Sequence, residues 1–319
     1  MKQKIFGFLK KEHLQFLKFA HDHRIEINPK LRYIGIIFIT FAYFLLANST
    51  IFFEKVSEII PIFQIFFIQF LTVSIIYFIF LIPRGWKIFK PKEKKLVLIR
   101  GTIAMITYYA YFASKIWINI IDNSLLFSID SLVIPLIMYL FFGVFVGRTA
   151  VIGLLIGFLG ICFVNIFDFK FDSLGGFIGV SSGIGLAFIV VITSYMVKRD
   201  SPLVIAFYQS LIGVVSSGII MCCTGWKNPD LINLTSIICQ ATFFAVALFL
   251  FLDSFYYTEA YIIGALGYTL TIFIIFLDAL ILGKVVDRYS LIGTFLVCGG
   301  GLIVVINGYY RDRHIQNKN

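Results

Sequence analysis

A carboxylate in the middle of an apolar segment is the group in this sequence best placed to do chemistry. The segment, residues 119–141, is long enough at about 1.5 Å per residue to cross a hydrocarbon core of about 30 Å. Asp130 falls close to its middle, and Ser124, Ser128 and Ser131 recur along one side at helical spacing. An acid at that depth costs a few kcal/mol or more unless it faces protein, water or a ligand. The pattern predicts a polar site in which Asp130 pairs with a cation or carries a proton; the structural alternative is that it only packs.

Polar residues on other segments extend this candidate substrate-binding site. Tyr108 and Tyr111 follow helical spacing on the preceding span, and tyrosine rings can stack on a planar group or hold a cation. Gly264, Gly267 and Thr271 form a comparable stripe near the end of the chain. The predicted substrate-binding residues are Asp130, Tyr108, Tyr111, Asn123, Ser131, Arg100, Thr271, Tyr256 and Gln209.

Several of these residues also have a structural interpretation that the sequence leaves open. The two tyrosines at 108 and 111 could be packing residues. Arg100 lies only about 6 Å inside its span, so it either binds a ligand or extends its head group to the surface. Lys115 and Asp122 flank a short turn, which favours a structural ion pair between them.

Composition defines the class of protein that must position these residues. Of the 319 residues, 60% are hydrophobic and 14% are charged, against about 25% charged in a soluble domain, which indicates an integral membrane protein. The net charge of +10 comes from basic residues between apolar runs, so it indicates topology and no nucleic-acid partner. The five cysteines have no metal-ligand or disulfide spacing, and no metal or cofactor is predicted. The expected partners are a small-molecule substrate and the lipid bilayer, with the chain a monomer or a homodimer.

Ten apolar spans are predicted after a basic cytosolic N-terminal segment, residues 1–30, and before a short tail, residues 309–319. They are residues 31–53, 61–82, 96–115, 119–141, 149–167, 174–197, 203–224, 232–256, 260–283 and 289–308. If the N-terminus is cytosolic, 20 of the 27 Lys and Arg residues lie on the inner side and 6 on the outer side, with Arg100 within a span. The excess predicts a multi-pass protein of a bacterial inner membrane with both termini in the cytoplasm.

The sequence also repeats itself at an offset of 140 residues. This offset superimposes Gly143, Gly153 and Gly160 on three glycines of the second half, Gly283, Gly293 and Gly300, and it aligns Gln69 with Gln209. Five spans per half is an odd number, so the second half must enter the membrane the other way up. The predicted fold is an all-α integral membrane protein of ten transmembrane helices in two inverted five-helix repeats, residues 31–168 and 169–308. In such transporters the substrate site lies at the repeat interface near the midplane.

This layout resembles the drug/metabolite transporter superfamily, specifically the ten-helix EamA type, over residues 31–308. Each half ends with a turn and a glycine-rich fifth helix as in that family, although the turns, residues 142–145 and 282–285, lack the usual Glu. The usual Pro positions correspond to Ser131 and Thr271. The resemblance implies a carrier of amino acids, nucleotide derivatives or drugs, with the third, fourth, eighth and ninth helices lining the cavity. Arg100-Gly101 is similar to the S-adenosylmethionine carriers of intracellular bacteria.

We therefore expect a secondary transporter for a small charged metabolite, amino-acid-like or nucleoside-containing, with S-adenosylmethionine as the specific candidate. A drug or metabolite exporter of the same fold is the alternative. A membrane-embedded enzyme is disfavoured because all four histidines lie outside the spans, and a channel because a single polar stripe does not form a ring. The sequence has no phosphate-binding loop of the Walker type, and it does not decide between proton coupling and exchange.

Overall fold

The computed structural model describes residues 31–85, 89–118, 120–142, 146–164, 173–282 and 288–316. Its helices are α1 (Arg32–Ser57), α2 (Ile62–Leu81), α3 (Lys94–Ser114), α4 (Ile120–Phe127), α5 (Asp130–Phe142), α6 (Arg148–Val164), α7 (Ser173–Met196), α8 (Pro202–Thr224), α9 (Leu231–Ser254), α10 (Ala260–Leu282) and α11 (Arg288–Gln316). A short 3-10 turn, Ile82–Arg84, follows α2. The predicted basic segment 1–30 and the turn glycines Gly143 and Gly283 lie outside the described residues.

The helices correspond to the ten predicted spans, because α4 and α5 together occupy the fourth. Within the described part of the chain, seven helices are long and apolar enough by themselves to cross a membrane. The predicted all-α membrane fold is therefore confirmed. The fourth span was expected to be one helix, and this expectation is wrong: it is interrupted at Ser128 and Ile129.

Several helices begin and end at residues that suit a helix boundary. Pro202 is the first residue of α8, where its missing N–H costs no helical hydrogen bond. Gly225 follows α8 with a φ of 89°, a conformation that glycine adopts without steric cost. Asp230 then caps α9 by accepting a hydrogen bond from the backbone N–H of Asn233, at 3.1 Å. These signals keep the connection between the two spans short, so the helices are antiparallel neighbours.

Helix packing follows a pseudo-two-fold relation between the halves. α1 packs on α9. In the same way α7, which is the counterpart of α1 in the second repeat, packs on α3. α1 also packs on α10, as α7 packs on α4 and α5. α2 packs on its own counterpart α8, and α6 packs on its counterpart α11. This arrangement is the one expected of two inverted repeats, and it brings the fourth and ninth spans together where the halves meet.

The α6–α11 contact is a close one in which glycines from both helices meet. A Cβ atom at Gly300 would lie 2.5 Å from the carbonyl oxygen of Gly153, and one at Gly160 would lie 2.7 Å from the carbonyl oxygen of Gly293. Small residues let helix backbones approach closely within a membrane. Four of the six glycines that revealed the repeat in the sequence, Gly153, Gly160, Gly293 and Gly300, therefore lie where its two halves meet.

Candidate functional site

The fourth span is broken next to Asp130. α4 ends at Phe127, Ser128 and Ile129 form a turn, and α5 begins at Asp130. The backbone tightens at this point, since Ile129 N–H donates to the Leu126 carbonyl three residues earlier rather than four. Pro135 inside α5 removes the N–H that would otherwise bind the Ser131 carbonyl. Discontinuous helices of this kind form substrate and ion sites in inverted-repeat transporters.

Gly183 on α7 makes room for the break. A Cβ atom there would lie 2.7 Å from the carbonyl oxygens of both Leu126 and Phe127, and 2.6 Å from Cγ2 of Ile129. Such distances are too short for any side chain. The backbone of the interrupted turn therefore rests directly on the backbone of α7.

Asp130 is buried at this break, with only 1% of its surface exposed. Its Oδ1 lies 3.2 Å from Oγ of Ser131, while its Oδ2 has no hydrogen-bond partner among the described residues. No salt bridge between described residues involves Asp130. A buried carboxyl oxygen without a hydrogen-bond partner is energetically costly. Such an atom usually marks a site that binds an ion or a ligand.

The ninth span closes the site from the other repeat. Ser131 Oγ lies 2.5 Å from the Gly264 carbonyl oxygen of α10, so the hydroxyl joins the two spans directly. Ser128 and Thr271, both buried, approach each other with their hydroxyl oxygens 3.5 Å apart. The structure thus places Asp130, Ser131 and Thr271, three of the predicted substrate-binding residues, at the interface of the two repeats.

Tyr43 on α1 completes the surroundings of Asp130. Its hydroxyl is buried without a hydrogen-bond partner among the described residues. It lies on the same side as Ser131, because a Cβ atom at Gly267 would be 3.4 Å from the Tyr43 hydroxyl oxygen and 3.7 Å from Ser131 Oγ. Asp130 is also near enough to act electrostatically on Tyr43. Sequence reasoning missed this tyrosine, since a tyrosine among many aromatic residues of a span carries no signal of its own.

Tyr111 and Asn123 attach the broken span to α3. The Asn123 amide donates to the Tyr111 carbonyl at 2.6 Å and accepts from the Ser114 hydroxyl at 2.6 Å. The Tyr111 ring packs at 4.8 Å, centroid to centroid, on Phe127, the last residue of α4. The side-chain amide of Asn123 therefore holds α4 in place. The ring of Tyr111 lies beside the break.

Tyr108 belongs to a separate group of polar and aromatic side chains. Its hydroxyl contacts Gln69 at 3.1 Å, and Gln69 Oε1 accepts from the Gln240 amide at 2.9 Å. The Tyr108 ring packs among four phenylalanines, Phe66, Phe70, Phe112 and Phe244. Gln240 Oε1 has no partner among the described residues. Neither Gln69 nor Gln240 was predicted as a site residue, although Gln69 marked the repeat.

Arg100 and Gln209 form a third group. Arg100 is buried, with 1% of its surface exposed, so it does not extend to the surface as one of the two sequence interpretations suggested. Its guanidinium donates to Gln209 Oε1 and, at 3.1 Å, to the Thr193 hydroxyl. These contacts join α3 to α8 and α7 through Nε and Nη1 of Arg100 and Oε1 of Gln209.

Tyr256 and Lys115 lie at helix ends. Tyr256 lies two residues beyond the end of α9 and is 43% exposed. Lys115 forms an ion pair with Glu54 at 2.7 Å, a partner that the sequence did not indicate. The side chain of Asp122, its predicted partner, lies outside the described residues.

Contacts between the two repeats hold both ends of the helix bundle. At one end, the Asp200 carboxylate accepts hydrogen bonds from the backbone N–H groups of Lys92, at 2.6 Å, and Glu93, at 3.2 Å. At the other end, the Gln64 side chain binds both the backbone N–H and the carbonyl of Lys227, at 2.9 and 2.6 Å. Asp130 is 1% exposed, so its side chain is shielded from solvent in this structure, which we call the closed state.

The fold and site define a class: a membrane protein of two inverted five-helix repeats with a polar site at their interface, the plan of secondary transporters. A model of the EamA-like transporter family matches the chain twice, over residues 33–166 and 173–306. The chain therefore belongs to the EamA-like transporter family, within the drug/metabolite transporter superfamily. The resemblance expected from the sequence is confirmed, including its coverage of both halves.

A solved structure, described only as a crystal structure of a protein, has a similar fold. The likeness has a TM-score of 0.73 at 15% sequence identity, and it covers 84% of this chain and 95% of the other. At this identity it supports the fold alone. No curated protein sequence matches the chain significantly.

Proposed function

We propose that the chain is a secondary transporter that moves a small cationic or zwitterionic metabolite by alternating access, with Asp130 as the group that receives its positive charge. An amino-acid-like or nucleoside-containing molecule is the proposed class of cargo, and S-adenosylmethionine is the specific candidate. The proposed location is a bacterial inner membrane with both termini in the cytoplasm, because the basic residues are concentrated on one side.

The observation that carries the proposal is the unsatisfied Oδ2 of Asp130 at the break in the fourth span. A cargo ammonium or sulfonium group would supply the missing partner, and a charge-assisted contact in a dry site is among the stronger polar interactions. The rings of Tyr43 and Tyr111 border the same region, and aromatic faces attract cations. The interface of the repeats is also where alternating access exposes a site to either side in turn.

The Arg100-Gly101 pair no longer supports S-adenosylmethionine through direct contact in the closed state, because Arg100 is bound to Gln209 and Thr193. What supports this cargo is its chemistry: it carries a sulfonium and an ammonium group beside a planar base. One acid with nearby aromatic rings suits such a molecule better than it suits an anion.

The proposal is tested by binding measurements on purified protein. S-adenosylmethionine, lysine, arginine and a neutral nucleoside are titrated against the wild type and Asp130→Asn, which keeps the size of the side chain and removes its charge. Loss of a charge-assisted contact costs about 1.5–3 kcal/mol, so binding of the cationic cargo is expected to weaken roughly ten- to a hundredfold.

Asp253→Asn is the matched control because Asp253 is a half-buried acid in the last turn of α9. It should bind as the wild type does. Equal binding of a cationic cargo by the wild type and Asp130→Asn would contradict the role of Asp130. Binding of the neutral nucleoside alone would contradict the proposed class of cargo.

A further inference from the structure

The hydroxyl group of Ser131 lies between two oxygen atoms of the site. Its Oγ lies 2.5 Å from the Gly264 carbonyl oxygen and 3.2 Å from Asp130 Oδ1. A serine hydroxyl has one hydrogen, and a carbonyl oxygen can only accept. The hydrogen of Ser131 therefore belongs to the shorter contact, toward Gly264. The contact with Asp130 has no hydrogen of its own unless Asp130 supplies it.

We propose that Asp130 is a proton-binding site, and that in the closed state without cargo it carries a proton that it donates to Ser131 Oγ. Asp130, Ser131 and the Gly264 carbonyl then form a continuous hydrogen-bonded chain from the fourth span to the ninth. An ionised Asp130 would instead bring a carboxylate oxygen against the lone pairs of a hydroxyl whose hydrogen points elsewhere.

The surroundings of Asp130 favour the neutral acid for an independent reason. The side chain is 1% exposed, and moving an ionised carboxylate out of water without a counter-charge is far more costly than moving the neutral acid. Among the described residues, no Lys or Arg forms a salt bridge with it.

The titratable groups that face it are uncharged at neutral pH. They are two buried tyrosines, Tyr43 on α1 and Tyr268 on α10. The Tyr268 hydroxyl donates to the Leu154 carbonyl at 3.0 Å, and α7 presents Gly183 at this position.

Tyr43 is the candidate hydrogen-bond donor for the other carboxyl oxygen of Asp130, Oδ2. When Asp130 is neutral and its proton lies on Oδ1, its Oδ2 is a carbonyl oxygen that can only accept. The Tyr43 hydroxyl is a donor without a partner among the described residues, and Oδ2 is an acceptor without one. The Tyr43 ring packs edge-on to Phe251, with the two ring centroids 6.4 Å apart.

Proton binding at Asp130 extends the proposed function. Only the exchange of protons for cargo depends on that function; proton binding itself does not. When a cargo cation reaches the neutral acid, the O–H bond breaks, the proton leaves to solvent, and the carboxylate pairs with the cargo. One proton is released for each positive charge that Asp130 receives, with no other reactant. The carrier would then exchange protons for cargo.

The experiment is infrared difference spectroscopy of the protein reconstituted without cargo in phosphatidylethanolamine–phosphatidylglycerol vesicles. At about pH 7, exposed aspartates with a pKa of about 3.9 are ionised, so a carbonyl stretch of a protonated carboxylic acid reports a buried one. We expect this band in the wild type and its loss in Asp130→Asn. Ser131→Ala removes the acceptor and should shift the band to higher frequency, as expected for a carboxylic acid without that hydrogen bond.

Ser128→Ala is the matched control, since Ser128 is also buried but donates to the Ser124 carbonyl of α4, four residues earlier, at 2.7 Å. It should leave the band in place. A wild-type spectrum without a band that Asp130→Asn removes would overturn the proposal, as would an unshifted band in Ser131→Ala. If Asp130→Asn fails to fold, the comparison of Ser131→Ala with Ser128→Ala decides the question alone. Because no cargo is present, failure of every cargo in the binding panel leaves this result unaffected.

Discussion

Arg100 and Gln240 occupy equivalent positions in the two repeats, and each binds a glutamine of the opposite repeat. Arg100 donates to Gln209 on α8, and Gln240 donates to Gln69 on α2. The offset of 140 residues that relates both pairs is also the offset between the two family matches, which begin at residues 33 and 173. The same polar contact therefore occurs twice, once at each of two positions related by the pseudo-two-fold symmetry. Only the contact made by Arg100 includes a charged side chain.

The same relation extends to the ends of the first helix of each repeat. A Cβ atom at Gly35 would lie 2.9 Å from Cβ of Tyr257, and one at Gly175 would lie 2.6 Å from Cβ of Trp117. Both pairs of positions are related by 140 residues. The two repeats thus share close contacts as well as the order of their helices.

Arg100→Gln tests this equivalence, because it copies the residue of the second repeat into the first. The shorter amide still donates to Gln209, whereas Arg100→Ala leaves the buried Gln209 oxygen without a donor. An unsatisfied buried polar group costs about 1–3 kcal/mol, so Arg100→Ala should be less stable than Arg100→Gln by about that amount. Thermal unfolding of both variants in the same detergent measures the difference. Equal losses of stability would show that the charge of Arg100, rather than its hydrogen bond, matters.

Gly300→Ala is expected to disrupt the contact of α6 with α11. The added methyl group would lie 2.5 Å from backbone atoms of Gly153 and Gly157, which can yield only if the helices separate. Overpacking of this kind typically costs about 1–3 kcal/mol. The neighbouring variants Gly299→Ala and Gly301→Ala are matched controls, since a Cβ atom at either position meets no atom within 4 Å. A lower melting temperature in Gly300→Ala alone would support the contact. An equal decrease in melting temperature in all three variants would contradict it.

The sequence predicted the membrane fold because the signals involved are local and strong. Apolar length defines the spans, and the repeated glycines have a geometric reason to recur, since α6 and α11 meet backbone to backbone. The same reasoning found Asp130, because an acid within an apolar span stands out whatever surrounds it.

The break in the fourth span escaped prediction for a physical reason. Ser128, Ile129 and Asp130 do not prevent helix formation by themselves, and the interrupted turn depends on Gly183, which lies on another helix. The partners of Arg100, Lys115 and Asn123 were missed in the same way. A sequence shows which side chains need a partner but not which distant segment supplies it.

The charge count predicts the orientation of the chain in the membrane, and this prediction can be tested directly. Lys90→Cys and Asn228→Cys, in exposed loops before α3 and before α9, should react with an impermeant thiol reagent from opposite sides of the membrane. The background protein must lack its own cysteines, because four of them, Cys222, Cys223, Cys239 and Cys298, are exposed. Labelling of Asn228→Cys but not Lys90→Cys from outside intact cells is expected. Labelling of both from outside would contradict the inverted topology.

Gly183→Ala is expected to distort the site although it changes none of the polar side chains that form it. The methyl group would press on the carbonyl oxygens of Leu126 and Phe127, at 2.7 Å, and these backbone atoms cannot rotate away as a side chain can. The end of α4 must therefore shift, and Asp130 and Ser131 shift with the turn that carries them. We expect a loss of about 1–3 kcal/mol in stability, together with weaker binding of the cationic cargo.

Gly179→Ala is the control for this prediction, because it adds the same methyl group one turn away on α7. There the nearest atom is Cδ1 of Leu126 at 2.9 Å, the end of a flexible side chain that can move to another rotamer. Thermal unfolding and cargo titration of the two variants separate the two kinds of contact. If Gly179→Ala lost as much binding as Gly183→Ala, packing of α7 in general would be responsible. If only Gly183→Ala loses binding, the position of Asp130 depends on the backbone contact beneath the break.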